Sequence, residues 1–462
     1  MIQEFDTIAA IATAVSNAGI GIIRISGPEA LTLISEIFVP YNKEKDASRL
    51  ESHRVYYGNI VDGGEVIDEC IVLIMKGPKS YTREDVVEIQ CHGGISVVYK
   101  IINLVTRHGA RPAEPGEFTK RAFLSGRIDL SQAEAVMDLI ESRNETARRN
   151  SVSQLKGRLS EEIRNLRGEI IYQIAYIESA LDDPEHISLD GYPEELAPMA
   201  SRWHKQVTSL INSYDNGRMI QEGIRTCIVG KPNAGKSSFL NALLGEDRAI
   251  VTEVAGTTRD TLEECITFDG ITLNIIDTAG IRDTEDQVEK IGVEKARREI
   301  DLADLILFIL DTSRKLTEED QAIFRQIKGK NKIILLNKSD IDPVLHKEDI
   351  SDYLEEEDAV IAVSARYGTG IEDFMKELKN RMFHGRIEIN NEVFITNARH
   401  KAALESAAYS LSCLKISIAD GMPEDFFTID MMNAYEKLGL IIGESVEEDL
   451  VNEIFSRFCT GK

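Results

Sequence analysis

The chain has 462 residues, 43% of them hydrophobic, which is enough to bury several cores and excludes a single small module; about three domains are expected. Its 53 Lys and Arg stand against 78 Asp and Glu, a formal charge of -25 that works against indiscriminate nucleic-acid binding, so any RNA must be gripped by a local basic patch. Six singly scattered cysteines without a CxxC pair argue against a zinc or disulfide framework, and the lack of a targeting pattern near Met1 or a membrane-length apolar run points to a cytoplasmic protein.

Residues 1–125 alternate short apolar runs with turn signals: "GIGIIRISGP" around Ile20 to Ile25, "DGGEV" at Asp62 to Val66, "ECIVLIM" at Glu69 to Met75 and "VVEIQCHGG" at Val86 to Gly94. These predict strands of a mixed α/β domain. From Leu130 to Ile220 the period is helical, clearest in the stripe Leu155, Leu159, Ile163, Leu166, Ile170, Ile174, Ile177 and Leu181, which "DDPE" at Asp182 to Glu185 ends. Residues 143–167 hold seven Lys or Arg against three Glu, and residues 107–127 hold five against two; both strips are candidates to face RNA.

Residues 223–385 switch to buried strands alternating with helices ("IRTCIVG", "ADLILFILD", "NKIILLNKSD", "DAVIAVSA"), the pattern of a parallel sheet covered on both faces. Helical periodicity returns over 386–462. Because the ends of such an α/β unit often lie close together, the two helical flanks are expected to pack as one bundle with the unit inserted.

Inside that unit, "GKPNAGKS" at Gly230 to Ser237 stands between a strand and the helix-like "SFLNALLG", the context a P-loop requires. Backbone N–H groups of Asn233, Ala234, Gly235, Lys236, Ser237 and Ser238 can wrap phosphates; Lys236 adds charge at the β and γ positions and Ser237 offers its hydroxyl to Mg²⁺. "DTAG" places Asp277 in the Mg²⁺ shell and the Gly280 N–H near the γ-phosphate. "NKSD" (Asn337, Lys338, Asp340) supplies a carboxylate for the N1–H and amine of guanine, and Ser364 and Ala365 end the next strand, where an N–H meets the guanine O6. Adenine would leave Asp340 unpaired, which selects GTP.

Position 281 is Ile, so a water-orienting side chain is not available there, and Arg259 and Arg282 are the only obvious arginine-finger candidates, better read as solvated loop residues. Asn233 and the oxygen-rich "TEVAGTTRD" from Thr252 to Asp260 suggest a monovalent cation beside the phosphates in place of an arginine.

Together with "GIGIIRISG", "EPGEFTKRAFLSGRIDLSQAEA" and the terminal "CTGK", these motifs resemble the MnmE (TrmE) family of tRNA-modification GTPases over essentially the whole chain. The resemblance implies an α/β multidomain fold. Residues 1–125 form a folate-binding-like and dimerising α/β domain, 126–222 and 386–462 the two parts of a helical bundle, and 223–385 an inserted Ras-like P-loop GTPase domain.

It further implies a K⁺-activated GTPase and homodimer. With the flavoprotein MnmG (GidA), which carries the FAD, the family forms a heterotetramer that adds an aminomethyl-type (carboxymethylaminomethyl) group to C5 of the wobble uridine of certain tRNAs. Carried over by motif, K⁺ falls to Asn233, Thr252, Val254 and Thr257, Mg²⁺ to Ser237, Thr258 and Asp277, and the water-positioning role to Glu289. A 5-formyl- or methylene-tetrahydrofolate would contact Arg24, Glu88, Arg127 and Lys462, with Arg127 standing where the family often has Lys. An alternative is a GTP-driven, RNA-binding switch in ribosome assembly; the GxxG loop that such proteins carry after the G domain is not found in residues 386–462.

The tail leaves a predicted amphipathic helix with a Ser445–Glu448 capping box and apolar Leu450, Val451, Ile454, Phe455 and Phe458. Cys459 is a candidate catalytic thiol on the condition that the tail reaches the folate pocket.

Overall fold

The computed structural model describes residues 6–41, 50–245, 250–253, 264–268, 270–276, 298–383, 394–444, 448–456, 458–459 and 461. They fall into two compact units, each assembled from separated stretches: Met1–Met137, Gln154–Ser201 and Ser406–Lys462 in one, Asp138–Ser153 and Arg202–Glu405 in the other.

The first unit holds β1 (Ile8–Ile11), β2 (Ile20–Ser26), β3 (Phe38–Pro40), β4 (Arg54–Asp62), β5 (Glu65–Met75), β6 (Val86–His92) and β7 (Arg111–Pro112), in the order β3-β4-β5-β6-β2-β1-β7. Gly63 and Gly64, both at positive φ, make the tight turn that joins β4 to β5, where "DGG" predicts one. Helices α1 (Ala30–Ile37) and α2 (Ile95–Arg107) cover one face, where Ile23, Ile25, Val72 and Ile89 pack with Ile34, Ile101 and Leu104. Strand alternation sends Arg24 and Glu88 to the other face. There Ile8 and Ala10 meet Phe118 of α3 (Glu117–Leu124).

The predicted helical stripe is divided. Gly157, at φ 85, stands between α5 (Glu145–Leu155) and α6 (Arg158–Asp182), a left-handed conformation that glycine adopts without Cβ strain. Leu159, Ile163, Leu166, Ile170, Ile174 and Ile177 are buried as their spacing predicts, whereas Leu181, on the last turn, is exposed. The buried face lies along α13 (Glu424–Ile442), so segments from before and after the α/β insertion pack together here. Arg167 seals the contact: its Nε donates to the Tyr435 carbonyl at 3.1 Å, its guanidinium lies 3.9 Å from the Tyr435 ring centroid, and it pairs with Glu444.

The second unit contains α4 residues beyond Met137, α5 residues up to Ser153, α8 (Tyr214–Glu222) and a second seven-stranded sheet; α4 spans Leu130–Glu141. Its strands are β8 (Ile224–Val229), β9 (Ile250–Glu253), β10 (Glu264–Phe268), β11 (Ile271–Ile276), β12 (Leu305–Asp311), β13 (Lys332–Asn337) and β14 (Ala359–Val363), ordered β14-β13-β12-β8-β11-β10-β9. Five are parallel as predicted; β10 and β9 add an antiparallel edge. Alternation is visible residue by residue: Leu305, Leu307 and Ile309 enter the core on one face, Ile306, Phe308 and Leu310 the core on the other.

Many charges of the basic strips meet carboxylates, some distant in sequence and some within one helical turn. In 107–127, Arg107 pairs with Asp62, Arg111 with Asp6 and Glu117, and Arg121, only 1% exposed, with Asp6, Glu84 and Glu117. In 143–167, Arg148 and Arg149 share Glu145, Arg164 holds Asp129, and Arg167 is buried. Arg148, Arg149 and Arg164 keep half or more of their side chains exposed while paired, and Arg127 and Lys156 are exposed as well.

Candidate functional site

β8 runs directly into the P-loop. Gly230, at φ 146, lies so close to β12 that a Cβ would stand 2.5 Å from the Ile309 carbonyl oxygen. Gly235, at φ 98, precedes α9 (Lys236–Leu244), and a Cβ there would lie 2.0 Å from Asn337 Nδ2. Both positions therefore demand glycine, and the turn they permit aims the N-terminus of α9 at the site an anion would fill.

The Lys236 ammonium donates to the Gly230 and Lys231 carbonyls at 2.6 and 2.8 Å, while Ser237 and Ser238 lie exposed on the first turn. Lys231 is held from outside the loop, by Glu319 at 2.9 Å and Thr317 Oγ1 at 3.0 Å; Thr317 is the capping-box residue of α10 (Glu318–Gln326). Asn233 sits at φ 64, a left-handed conformation for a residue with a Cβ, and its side chain is exposed.

Asn337, the last residue of β13, joins the base-reading loops to the P-loop. Its Nδ2 donates to the Ala234 carbonyl at 2.8 Å, its Oδ1 accepts from the Ala365 N–H at 3.1 Å, and its carbonyl accepts from Thr312. Asp340 accepts from the Ser364 hydroxyl at 2.6 Å. Lys338, at φ 69, reaches Asp311 at 2.7 Å. Burial works to raise the Asp311 pKa, but hydrogen bonds from Lys338 and Ser313 outweigh it and hold the carboxylate below its ordinary value.

Asn337 with Ala365 and Asp340 with Ser364 are thus brought together, while Lys338 turns to Asp311. Thr252 lies in β9 opposite Cys265. Val254, Thr257, Thr258, Asp277, Gly280 and Glu289, together with Arg259, Ile281 and Arg282, lie outside the described residues. Asp311 and Thr312 were not singled out from sequence; an acidic residue at the carboxyl end of a buried strand was the available signal.

The second candidate site is in the first unit. Arg24 on β2 and Glu88 on β6 are register partners, and Arg24 Nε donates to Glu88 at 2.8 Å. The Arg24 guanidinium lies 5.8 Å from the Tyr81 ring centroid and 5.6 Å from that of Phe118; Arg127 lies 4.6 Å from the same Tyr81 ring. The Tyr81 hydroxyl is fixed by Thr119 at 2.9 Å. Arg24, Glu88 and Arg127 are therefore brought together around an aromatic residue that no motif marks.

The C-terminal tail closes on this cluster. α14 (Glu448–Ser456) packs Val451 and Phe455, with Phe458, against Leu130 and Ala133; Leu450 is exposed, and Ser445 lies outside the described residues. Gly116, at φ 67, donates its N–H to the Cys459 carbonyl at 3.2 Å. The Gly461 carbonyl accepts from Arg24 at 3.2 Å, and a Cβ on Gly461 would stand 2.6 Å from the Ile11 carbonyl oxygen. Cys459 itself is exposed, and Lys462 lies outside the described residues.

Among the described residues no group of three or more His, Cys, Asp or Glu is arranged to hold a metal ion, and no helix is long and apolar enough to cross a membrane.

A glycine-dependent phosphate loop tied through one asparagine to an aspartate-bearing base loop defines a P-loop GTPase. The family profile described as the MnmE helical domain matches residues 130–459, and that of the GTP-binding protein TrmE N-terminus matches residues 7–127. The tRNA modification GTPase MnmE of Lachnoclostridium phytofermentans is 55% identical over 460 residues, all of both chains; that of Clostridioides difficile is 47% identical over 461 residues, 99% of each. The chain belongs to the MnmE family of tRNA modification GTPases. Among solved structures, the G domain of the T. maritima FeoB iron transporter covers 34% of this chain and 98% of its own at 22% identity, with a TM-score of 0.26, too low to bear on the site.

Proposed function

We propose that this GTPase is K⁺-activated and, as a homodimer joined to a flavoprotein partner, uses the one-carbon unit of a tetrahydrofolate to build an aminomethyl-type group on C5 of the wobble uridine of certain tRNAs. Family membership supports the tRNA role. The observation that carries the folate reading is the Arg24–Glu88 pair, flanked by Arg127 over Tyr81 and reached by the C-terminal tail.

In this reading Glu88 would accept from pterin N–H donors with the oxygen not taken by Arg24, and the two arginines would donate to carbonyl or carboxylate oxygens. The bound folate supplies the one-carbon unit; Lys462 and Cys459 are the tail residues assigned to that pocket.

In the nucleotide site, Asp340 reads guanine and Lys236 with the α9 N-terminus takes the phosphates. Ser237, Thr258 and Asp277 are assigned to Mg²⁺, and Asn233, Thr252, Val254 and Thr257 to K⁺. Glu289 is assigned the attacking water. Support for the K⁺ assignment is the exposed Asn233 amide, held at an unusual backbone angle.

The test is mass spectrometry of tRNA nucleosides from cells lacking the gene. Loss of the C5 modification at wobble uridine is expected; an unchanged profile would reject the proposal.

A further inference from the structure

The turn between α4 and α5 makes a set of contacts that the nucleotide motifs do not explain. Asn144 is 7% exposed and uses its whole amide. Its Oδ1 accepts from the Ala147 N–H at 2.8 Å, and its Nδ2 donates both to the Ile220 carbonyl at 2.9 Å and to Thr272 Oγ1 at 3.2 Å. Ile220 lies on the last turn of α8, which leads into β8; Thr272 is the second residue of β11. β8 and β11 are neighbouring parallel strands, paired Leu273 to Ile224.

Neighbouring residues reinforce the grip on the β10–β11 hairpin. Thr272 bonds Thr267 across the hairpin at 3.0 Å. Arg143 donates to Cys265 Sγ at 3.1 Å, that thiol bonds Asn274 Oδ1, and Asn274 Nδ2 donates to the Glu222 carbonyl at 2.8 Å. A Cβ on Gly270, at the hairpin tip, would lie 3.2 Å from Thr146 Oγ1, and Ala147 is fully buried in the core of the P-loop sheet.

We infer that Asn144 is a positioning residue for GTP hydrolysis, clamping the last turn of α8, which leads into β8, and the start of β11 to one amide and thereby setting where the P-loop stands relative to the end of β11. The other ends of the same strands carry the chemistry: β8 continues into Gly230, and in the sequence Asp277 follows the last residue of β11. Both strands are packed on both faces, and packed elements shift as bodies, so a displacement at one end arrives at the other.

The test uses the full-length protein and compares Asn144→Ala, Thr272→Val and Thr272→Ser. Valine keeps the β-branched shape and loses the hydroxyl; serine keeps the hydroxyl. With melting curves confirming the fold, Asn144→Ala and Thr272→Val are expected to lower kcat for GTP about fivefold or more, with the Kd for a fluorescent GDP within about twofold of wild type. Thr272→Ser should retain wild-type kcat, a rescue that loss of stability alone does not produce. Unchanged kcat in folded Thr272→Val, or kcat and GDP affinity falling together with the melting temperature, would overturn the inference. If Asn144→Ala does not fold, the Thr272 pair decides.

Discussion

Asn233 and Lys338 are two of the four described non-glycine residues at positive φ, and both lie in the nucleotide site. Such conformations cost on the order of 1–3 kcal/mol each and persist where the surroundings over-determine them. For Lys338 the compensation is visible in its ion pair with Asp311. For Asn233 it is proposed to be the cation: GTP hydrolysis is expected to be much faster in K⁺ than in Na⁺, and Asn233→Ala to shrink that difference. Equal rates in the two salts would remove K⁺ from the mechanism.

Legibility at this scale follows sequence distance. Lys236, Asp340 and Ala365 sit in short contiguous motifs whose spacing already encodes their geometry, so they are readable. Asn144 is not, because its partners lie 76 and 128 residues away and an asparagine between helices is an ordinary cap or turn residue. Tyr81 is hidden for the same reason, since its role comes from arginines on two other elements.

At the scale of elements, α3 is pinned by charge as well as by packing. Glu117 and Arg121, one turn apart, close a charge cluster with Asp6, Glu84 and Arg111 around a guanidinium sealed from solvent. Arg121→Met is expected to destabilise the chain by roughly 3–5 kcal/mol, because the carboxylates lose their buried partner. The hydrogen bond from Arg111 holds the Asp6 carboxyl down at about 2.

A depressed carboxylate stabilises the fold at pH values above its unfolded pKa of about 4, and that contribution is lost as pH falls towards 2. Asp6 is largely exposed, so solvent screening leaves less than about 1 kcal/mol. Melting temperatures measured from pH 5 to 2 should show this loss, reduced in Asp6→Asn.

The elements themselves were readable where the pattern was long. β12, β13 and β14 are near-continuous apolar runs and β8 and β11 mix apolar with polar residues, while β9 and β10 are short antiparallel strands without that signal. The stripe from Leu155 to Leu181 shows periodicity failing in a specific way, since apolar spacing persists across the Gly157 break and says nothing of where one helix yields to another.

Taken whole, the chain builds its first unit from three stretches separated by the second, and its N-terminal cluster is completed by its C-terminal residues. Gly461 is the tightest point of that closure, against the backbone of Ile11 and Ala12. Gly461→Ala should lift the tail, weakening binding of 5-formyltetrahydrofolate in isothermal titration while GTP hydrolysis is retained; unchanged titration heats would separate the tail from the pocket. This pairing of chain ends was not visible in composition or periodicity, and only the resemblance of the terminal motif pointed to it.

Arg24 and the carbonyl it meets are 437 residues apart. A ribosome adding about 5–20 residues per second makes Arg24 roughly 20–90 s before its partner. Throughout that interval the nascent N-terminal sheet can bring Arg24, Glu88 and Tyr81 together but cannot make the contact between Arg24 and Gly461. A chain released early by truncation would therefore lack the carbonyl that Arg24 meets, and with it the contact that ties the tail to the N-terminal sheet.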